Sequence, residues 1–187
     1  CRRNTCGCTA ASRPARWANP VSMNDPAITR LARAEIEAVS ALARTVWQAT
    51  YPALISQAQI DAMLADRYAS ARIREQLDDP RHGWWVARQG STLAGFAHTI
   101  LDQGNCKLDK LYVHPDQQRR GIGAALLHAI EAWARTHQAH HLRLQVNRGN
   151  TQAIHAYEKY GFRIIESRVF DIGNGFVMDD HVMEKLL

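Results

Sequence analysis

No stretch of this 187-residue chain approaches the roughly 18 consecutive apolar residues of a membrane-spanning helix, so none is expected. Cysteine is scarce: Cys1, Cys6 and Cys8 crowd the first eight positions, and Cys106 stands alone in the body. That distribution offers neither a disulfide framework nor a familiar zinc spacing, and a reducing cytoplasm is the expected location. Acidic residues are missing from positions 1–22, where Arg2, Arg3, Arg13 and Arg16 supply four of the five net positive charges. From Met23 onward the chain carries only +1. A near-neutral body with a basic end speaks against a nucleic-acid partner. There is no internal repeat, and no Gly-x-Ser-x-Gly elbow to suggest a serine acyl-enzyme.

What is present is an ordinary globular composition, 46% hydrophobic and 22% charged, at a length that suits one domain with an ample core. Residues 1–22 lack hydrophobic periodicity and read as a disordered basic tail, leaving 23–187 as the folded unit. A start at cysteine rather than methionine fits either a piece of a longer chain or a processed lipoprotein.

"AITRLA" reads as a first strand. "RAEIEAVSALARTVWQATY" sets Ile36, Val39, Leu42, Ala43, Val46 and Trp47 on one helical face, ended by Pro52. Residues 56–77 continue as one helix, with Ile60, Leu64, Tyr68 and Ile73 at helical intervals. Two strands meet at Gln89-Gly90, and "CKLDKLYV" is a third. A strong helix with Ile122, Leu126, Ala129, Ile130 and Trp133 in its stripe follows. The strand "HHLRLQV", the helix "NTQAIHAYEKY" and two closing strands complete the order β-αα-βββ-α-β-α-ββ.

The entrance to the strong helix is unusual. In "HPDQQRRGIGAALLHAI", Arg119 and Arg120 add positive charge where the exposed N–H groups of a helix start are already positive. An anion resolves the conflict. Glycines let backbone approach a phosphate closely, and the helix start offers unpaired donors. A P-loop is excluded because no lysine and hydroxyl residue follow Gly123, and a dinucleotide fingerprint because position 126 is Leu. The pattern Gln118-x-x-Gly121-x-Gly123 remains. A plain glycine-bearing helix start with solvated arginines is the alternative that the pattern alone leaves open.

Together, "LYVHPDQQRRGIGAALL" and the later "LQVNRGNTQAIHAYEKYGFR" resemble the GNAT superfamily of acetyl-CoA-dependent N-acetyltransferases over most of residues 27–187. The resemblance implies an α/β fold with a mixed, mostly antiparallel sheet flanked by helices. It implies direct acetyl transfer from acetyl-CoA to an amine, without an acyl-enzyme or a metal. The cofactor contacts it implies are Leu111, Val113, Gln118, Arg119, Arg120, Gly121, Ile122, Gly123, Ala124, Asn150 and Tyr157. The Val113 N–H is then the oxyanion donor and Tyr157 the acid that protonates departing coenzyme A, in a gap between the strands around Val113 and Val146. A catalytically silent acyl-CoA sensor is the alternative function.

Other candidates rest on placement. Some relatives carry a glutamate where Lys107 stands here, and Asp109, two residues on, is a candidate base or an ion-pair partner of its lysine neighbours. In similar folds the acceptor enters opposite coenzyme A, between the first two helices and the loop before the final strand, here beside Trp47, Tyr51, Asp179 and Asp180. Aromatics with carboxylates suit a cationic amine. The cluster His137, His140 and His141 lacks a ligand spacing and reads as a solvated connection. The acceptor's identity and the oligomeric state stay open, a homodimer among the alternatives. A chain starting at Met23 should keep its melting temperature and its acetyl-CoA affinity. Calorimetry on both lengths checks this, and a large drop in melting temperature would show that the tail belongs to the fold.

Overall fold

A strand buried on both faces reads as an unbroken apolar run, and "GWWVA" is such a run. The computed structural model describes residues 25–173 and 175–187, so the basic tail expected at 1–22 lies outside the described residues. In it Trp84 and Val86 point to one side of a central sheet while Trp85 and Ala87 point to the other. The elements are β1 (Ala27–Arg30), α1 (Ile36–Thr50), α2 (Gln57–Arg67), α3 (Ser70–Asp78), β2 (His82–Gln89), β3 (Thr92–Asp102) and β4 (Asn105–Val113). They continue as α4 (Ile122–Thr136), β5 (His141–Asn147), α5 (Thr151–Lys159), β6 (Arg163–Gly173) and β7 (Phe176–Leu186).

The strands form one seven-stranded sheet in the order β1-β2-β3-β4-β5-β7-β6. Only β4 and β5 run parallel. Helices α1 to α3 cover one face, where Ile36, Val39, Val46, Ile60 and Ile73 pack on Trp84 and Phe96. Helices α4 and α5 cover the other with Ile122, Leu126, Ile130 and Ile154. No helix among the described residues is long and apolar enough to cross a membrane.

One expected element divides. The helix read over 56–77 is two helices, broken at Tyr68 and Ala69, whose ψ angles of 16° and 130° leave the helical range. Tertiary contacts hold the break open. The Ser40 hydroxyl donates to the freed Tyr68 carbonyl at 2.9 Å, and the Trp47 indole N–H donates to the Tyr68 hydroxyl at 3.2 Å. Buried Tyr68 also meets the edge of Phe96.

Two details of the central strands prepare the site. First, β4 carries a bulge. His98 pairs with Lys110 and Thr99 with Leu108, so Asp109 is the extra residue. Pairing with β5 runs from Asn105–His141 to Leu108–Leu144 and stops where the bulge begins. Second, Gly95 on β3 lets α4 close on the sheet. A Cβ there would lie 2.8 Å from the Tyr112 carbonyl oxygen and 3.3 Å from Ile122. Gly95→Ala should therefore destabilise the fold by about 1–3 kcal/mol, read as a lower midpoint in urea unfolding. An unchanged midpoint would mean that α4 has slack to move.

Candidate active site

Beyond Leu108 and Leu144 the parallel strands part, and the peptide groups that would have paired are left facing the gap. Which groups these are follows from hydrogen-bond parity. The His114 N–H donates to Ala94 at 2.8 Å, so His114 exchanges bonds with β3 and its neighbour Val113 faces the opposite way. Leu111 shares the parity of Val113. The Val113 and Leu111 N–H groups thus point toward β5, where the ladder has ended.

At the mouth of this gap lies the loop of Gln118, Arg119, Arg120 and Gly121. Arg119 adopts φ 61° and Gly121 φ 80°, both left-handed. Such alternation turns successive N–H groups toward one point and makes an anion-binding concavity. Gly121 is the N-cap of α4, without a side-chain cap and without an acid in the first turn. The donors at Ile122, Gly123 and Ala124 thus have no side-chain competitor within the helix start. The Gln118 amide donates to the Val113 carbonyl at 3.3 Å and ties the loop to the strand end. Across the gap, Asn150 caps α5, accepting from the Ala153 N–H at 3.2 Å.

One cavity of about 470 Å³ joins these parts. Leu111, Val113, Gln118, Arg119, Gly121, Ile122, Gly123, Ala124, Asn150 and Tyr157 line it, as do Asp109, Trp47, Tyr51 and Asp180. Arg120 is exposed beside the loop. The Tyr157 ring meets Phe162 edge to face at 5.6 Å, and burial raises its hydroxyl above the usual phenol value. It stays protonated at neutral pH.

The remaining candidates separate by environment. Trp47 is a core residue that also lines the cavity, its ring tilted against Tyr51 at 4.5 Å, and the Tyr51 hydroxyl lies 3.4 Å from that of Tyr112. Asp179 points away from Asp180, as alternation along β7 requires, and pairs with Arg148 at 3.1 Å on the surface. Asp180 is only 7% exposed, and its Oδ1 has no hydrogen-bond partner among the described residues. Burial pushes its carboxyl up to about 6.

Asp109 is the opposite case. Its Oδ2 lies 3.1 Å from the Nδ1 of fully buried His98 and also accepts from the buried Lys110 ammonium. Lys107 stands 3.7 Å from Oδ1. Burial alone would raise this carboxyl, but the His98 bond and the Lys110 charge override it and hold it well below the usual range. Burial in turn brings His98 down to about 4 and lowers Lys110. Behind them, the His98 Nε2 meets the His82 Nδ1 at 2.8 Å. Cys106 is buried, its thiol pushed by burial up to about 12, and it packs rather than reacts.

Sequence reasoning missed several wall residues: Arg67 at the end of α2, Tyr112, and Phe170 and Ile172 of β6. Tyr112 lies within the quoted strand end but between its two candidate contacts, and the other three sit in no motif. For the strand residues the one signal was alternation, which does not say which cavity a face meets. Among the described residues no group of three or more His, Cys, Asp or Glu side chains is placed to hold a metal ion.

The mixed sheet is thus split along its parallel seam, with the Gln118–Gly121 loop at the mouth and the protonated Tyr157 within. The chain belongs to the acetyltransferase (GNAT) family, whose family model matches residues 43–162. An uncharacterized N-acetyltransferase of Mycobacterium bovis is 32% identical over 149 residues, covering 77% of this chain and 96% of that one. A spermidine N(1)-acetyltransferase of Thermoplasma acidophilum is 24% identical over 156 residues, covering 81% and 94%. Among solved structures, the PaiA N-acetyltransferase of the same organism, in complex with coenzyme A, superposes with a TM-score of 0.76. It is 24% identical and the match covers 87% of this chain and 99% of that one, a likeness of fold.

Proposed function

We propose that this enzyme moves the acetyl group of acetyl-CoA directly to a primary amine of a small-molecule or protein acceptor. The observation that carries the reading is continuity. A single cavity runs from the Gln118–Gly123 loop past Val113 and Tyr157 to Asp180. An anion seat, an oxyanion donor, a proton donor and a free carboxylate share one space.

In this reading the pyrophosphate of coenzyme A rests on the loop and α4 N–H groups, with Arg119 and Arg120 adding charge. The pantetheine arm lies in the gap along Leu111 and Val113, with Asn150 opposite. As the amine nitrogen attacks the thioester carbonyl carbon, the Val113 N–H donates to the oxygen that gains charge. The C–N bond forms, the C–S bond breaks, and the Tyr157 hydroxyl gives its proton to the sulfur. No metal is called for.

The acceptor side favours a cationic amine. Trp47 and Tyr51 supply an aromatic wall and Asp180 a carboxylate. A spermidine acetyltransferase among the relatives fits that preference. Incubation of the protein with acetyl-CoA and a panel of spermidine, cadaverine, a lysine peptide and neutral and acidic amines tests this, with thiol release and mass detection of product. Acetylated cationic amines are expected. Product from neutral or acidic amines alone would remove the cation preference. Binding of acetyl-CoA with no acetylated product would point to a silent sensor.

A further inference from the structure

An ammonium cannot attack a thioester until it loses a proton, and the cavity holds two carboxylates that could accept it. Asp109 is committed: His98, Lys110 and Lys107 occupy its oxygens. A carboxylate so stabilised is a poor proton acceptor, because its conjugate acid is too strong. Asp180 also lines the cavity, and its buried Oδ1 has no hydrogen-bond partner among the described residues. A buried polar atom without a partner carries a desolvation cost that a donor from outside would relieve. An ammonium N–H is such a donor.

We propose that Asp180, rather than Asp109, is the general base that removes a proton from the acceptor ammonium. The inference rests on the acetyl-transfer reading above and deepens it. Asp180 occupies the right wall. It pairs with Asn147 at the end of β5, across the gap from Val113, and it lies within electrostatic reach of Tyr51, which in turn reaches Tyr157. The charged groups facing it are Arg67 from α2 and Lys107 from β4, which favour its ionised form, and Asp179 on its own strand, which opposes it. Across β6 its register partner is Arg168. Burial outweighs these and brings the carboxyl up to about 6, close to the working pH where a base is most effective.

The protons balance. Of the three on the ammonium, one passes to the Asp180 carboxylate and on to solvent. A second leaves the nitrogen as the amide forms and replaces the proton that Tyr157 gives to sulfur. The third stays on the amide.

The test is the pH dependence of kcat/KM with acetyl-CoA and spermidine, or whichever panel amine turns over fastest. The wild-type profile should fall below an apparent pKa near 6, since the carboxylate is active and the acid is not. Asp180→Asn should lose roughly 100-fold or more at pH 7. It should also lack the acidic limb and recover as rising pH deprotonates the amine in solution. Asp180→Glu should restore part of the rate together with the limb, and Asp109→Asn should keep the limb. Acetyl-CoA affinity and melting temperature show whether each variant is folded. If Asp180→Asn fails to fold, the limb in Asp180→Glu decides. An unaltered limb in Asp180→Asn, or a loss confined to KM, would overturn the base role and leave Asp180 a binding charge. A wild-type chain that acetylates no panel amine would instead overturn the reading beneath it.

Discussion

Tyr157→Phe should lower kcat by about 100-fold or more while leaving acetyl-CoA affinity nearly unchanged, because only a proton donor is removed. The ring that packs on Phe162 is retained, and burial already keeps the hydroxyl protonated across the useful pH range. In the proposed reaction, what disappears is the proton that lets sulfur leave as a thiol. Single-turnover rates set beside calorimetric affinities separate the two effects. An unchanged kcat would mean that the thiolate takes its proton from water, and Tyr157 would revert to a packing residue.

Gly121→Val should weaken acetyl-CoA binding by at least tenfold. At φ 80° a β-branched residue is strained, at a cost of about 1–3 kcal/mol, and the loop relieves the strain by turning its N–H groups off their common focus. The open space around this position does not help, since nothing lies within 4 Å of an added Cβ and the penalty is conformational. Leu126→Met, buried on the same helix, is a volume-conserving control that should cost under about 1.5 kcal/mol and leave affinity alone. Calorimetry on both variants decides. A folded Gly121→Val protein with wild-type affinity would end the assignment of the loop.

The parts legible in the sequence are those whose chemistry is local. The stripe of α1 announced itself because each of its apolar residues follows the helical repeat, and all six are buried. The entrance to α4 was legible because its glycine, its arginines and the helix start are adjacent in sequence. Asn150 was readable as a cap because a cap acts within its own turn. The break between α2 and α3 was not, since it depends on Ser40 and Trp47, 28 and 21 residues from Tyr68, and no glycine or proline marks it. Asp179 and Asp180 read as an equivalent pair. Only the packing of β7 against the gap separates a surface ion-pair partner from a buried carboxylate. Asp109 read as a strand residue two places from Lys107, and nothing local reveals that it is supernumerary.

That extra residue has a geometric consequence. A bulge takes up one extra residue in a single strand and bends that strand locally, so the pairing on its other side continues in phase. In β4 the extra residue is Asp109, and the bend there carries the outward-facing backbone of Leu111 and Val113 away from β5. In the proposed complex the amides of pantetheine supply the partners that β5 withholds, so the cofactor serves as a short strand in the sheet. Recognition of this kind reads main chain, and it tolerates apolar exchanges at Leu111 and Val113. It does not tolerate a change in count. Deleting Asp109 would restore the even ladder and let β4 and β5 zip together. The cleft would close with every motif residue still in the chain.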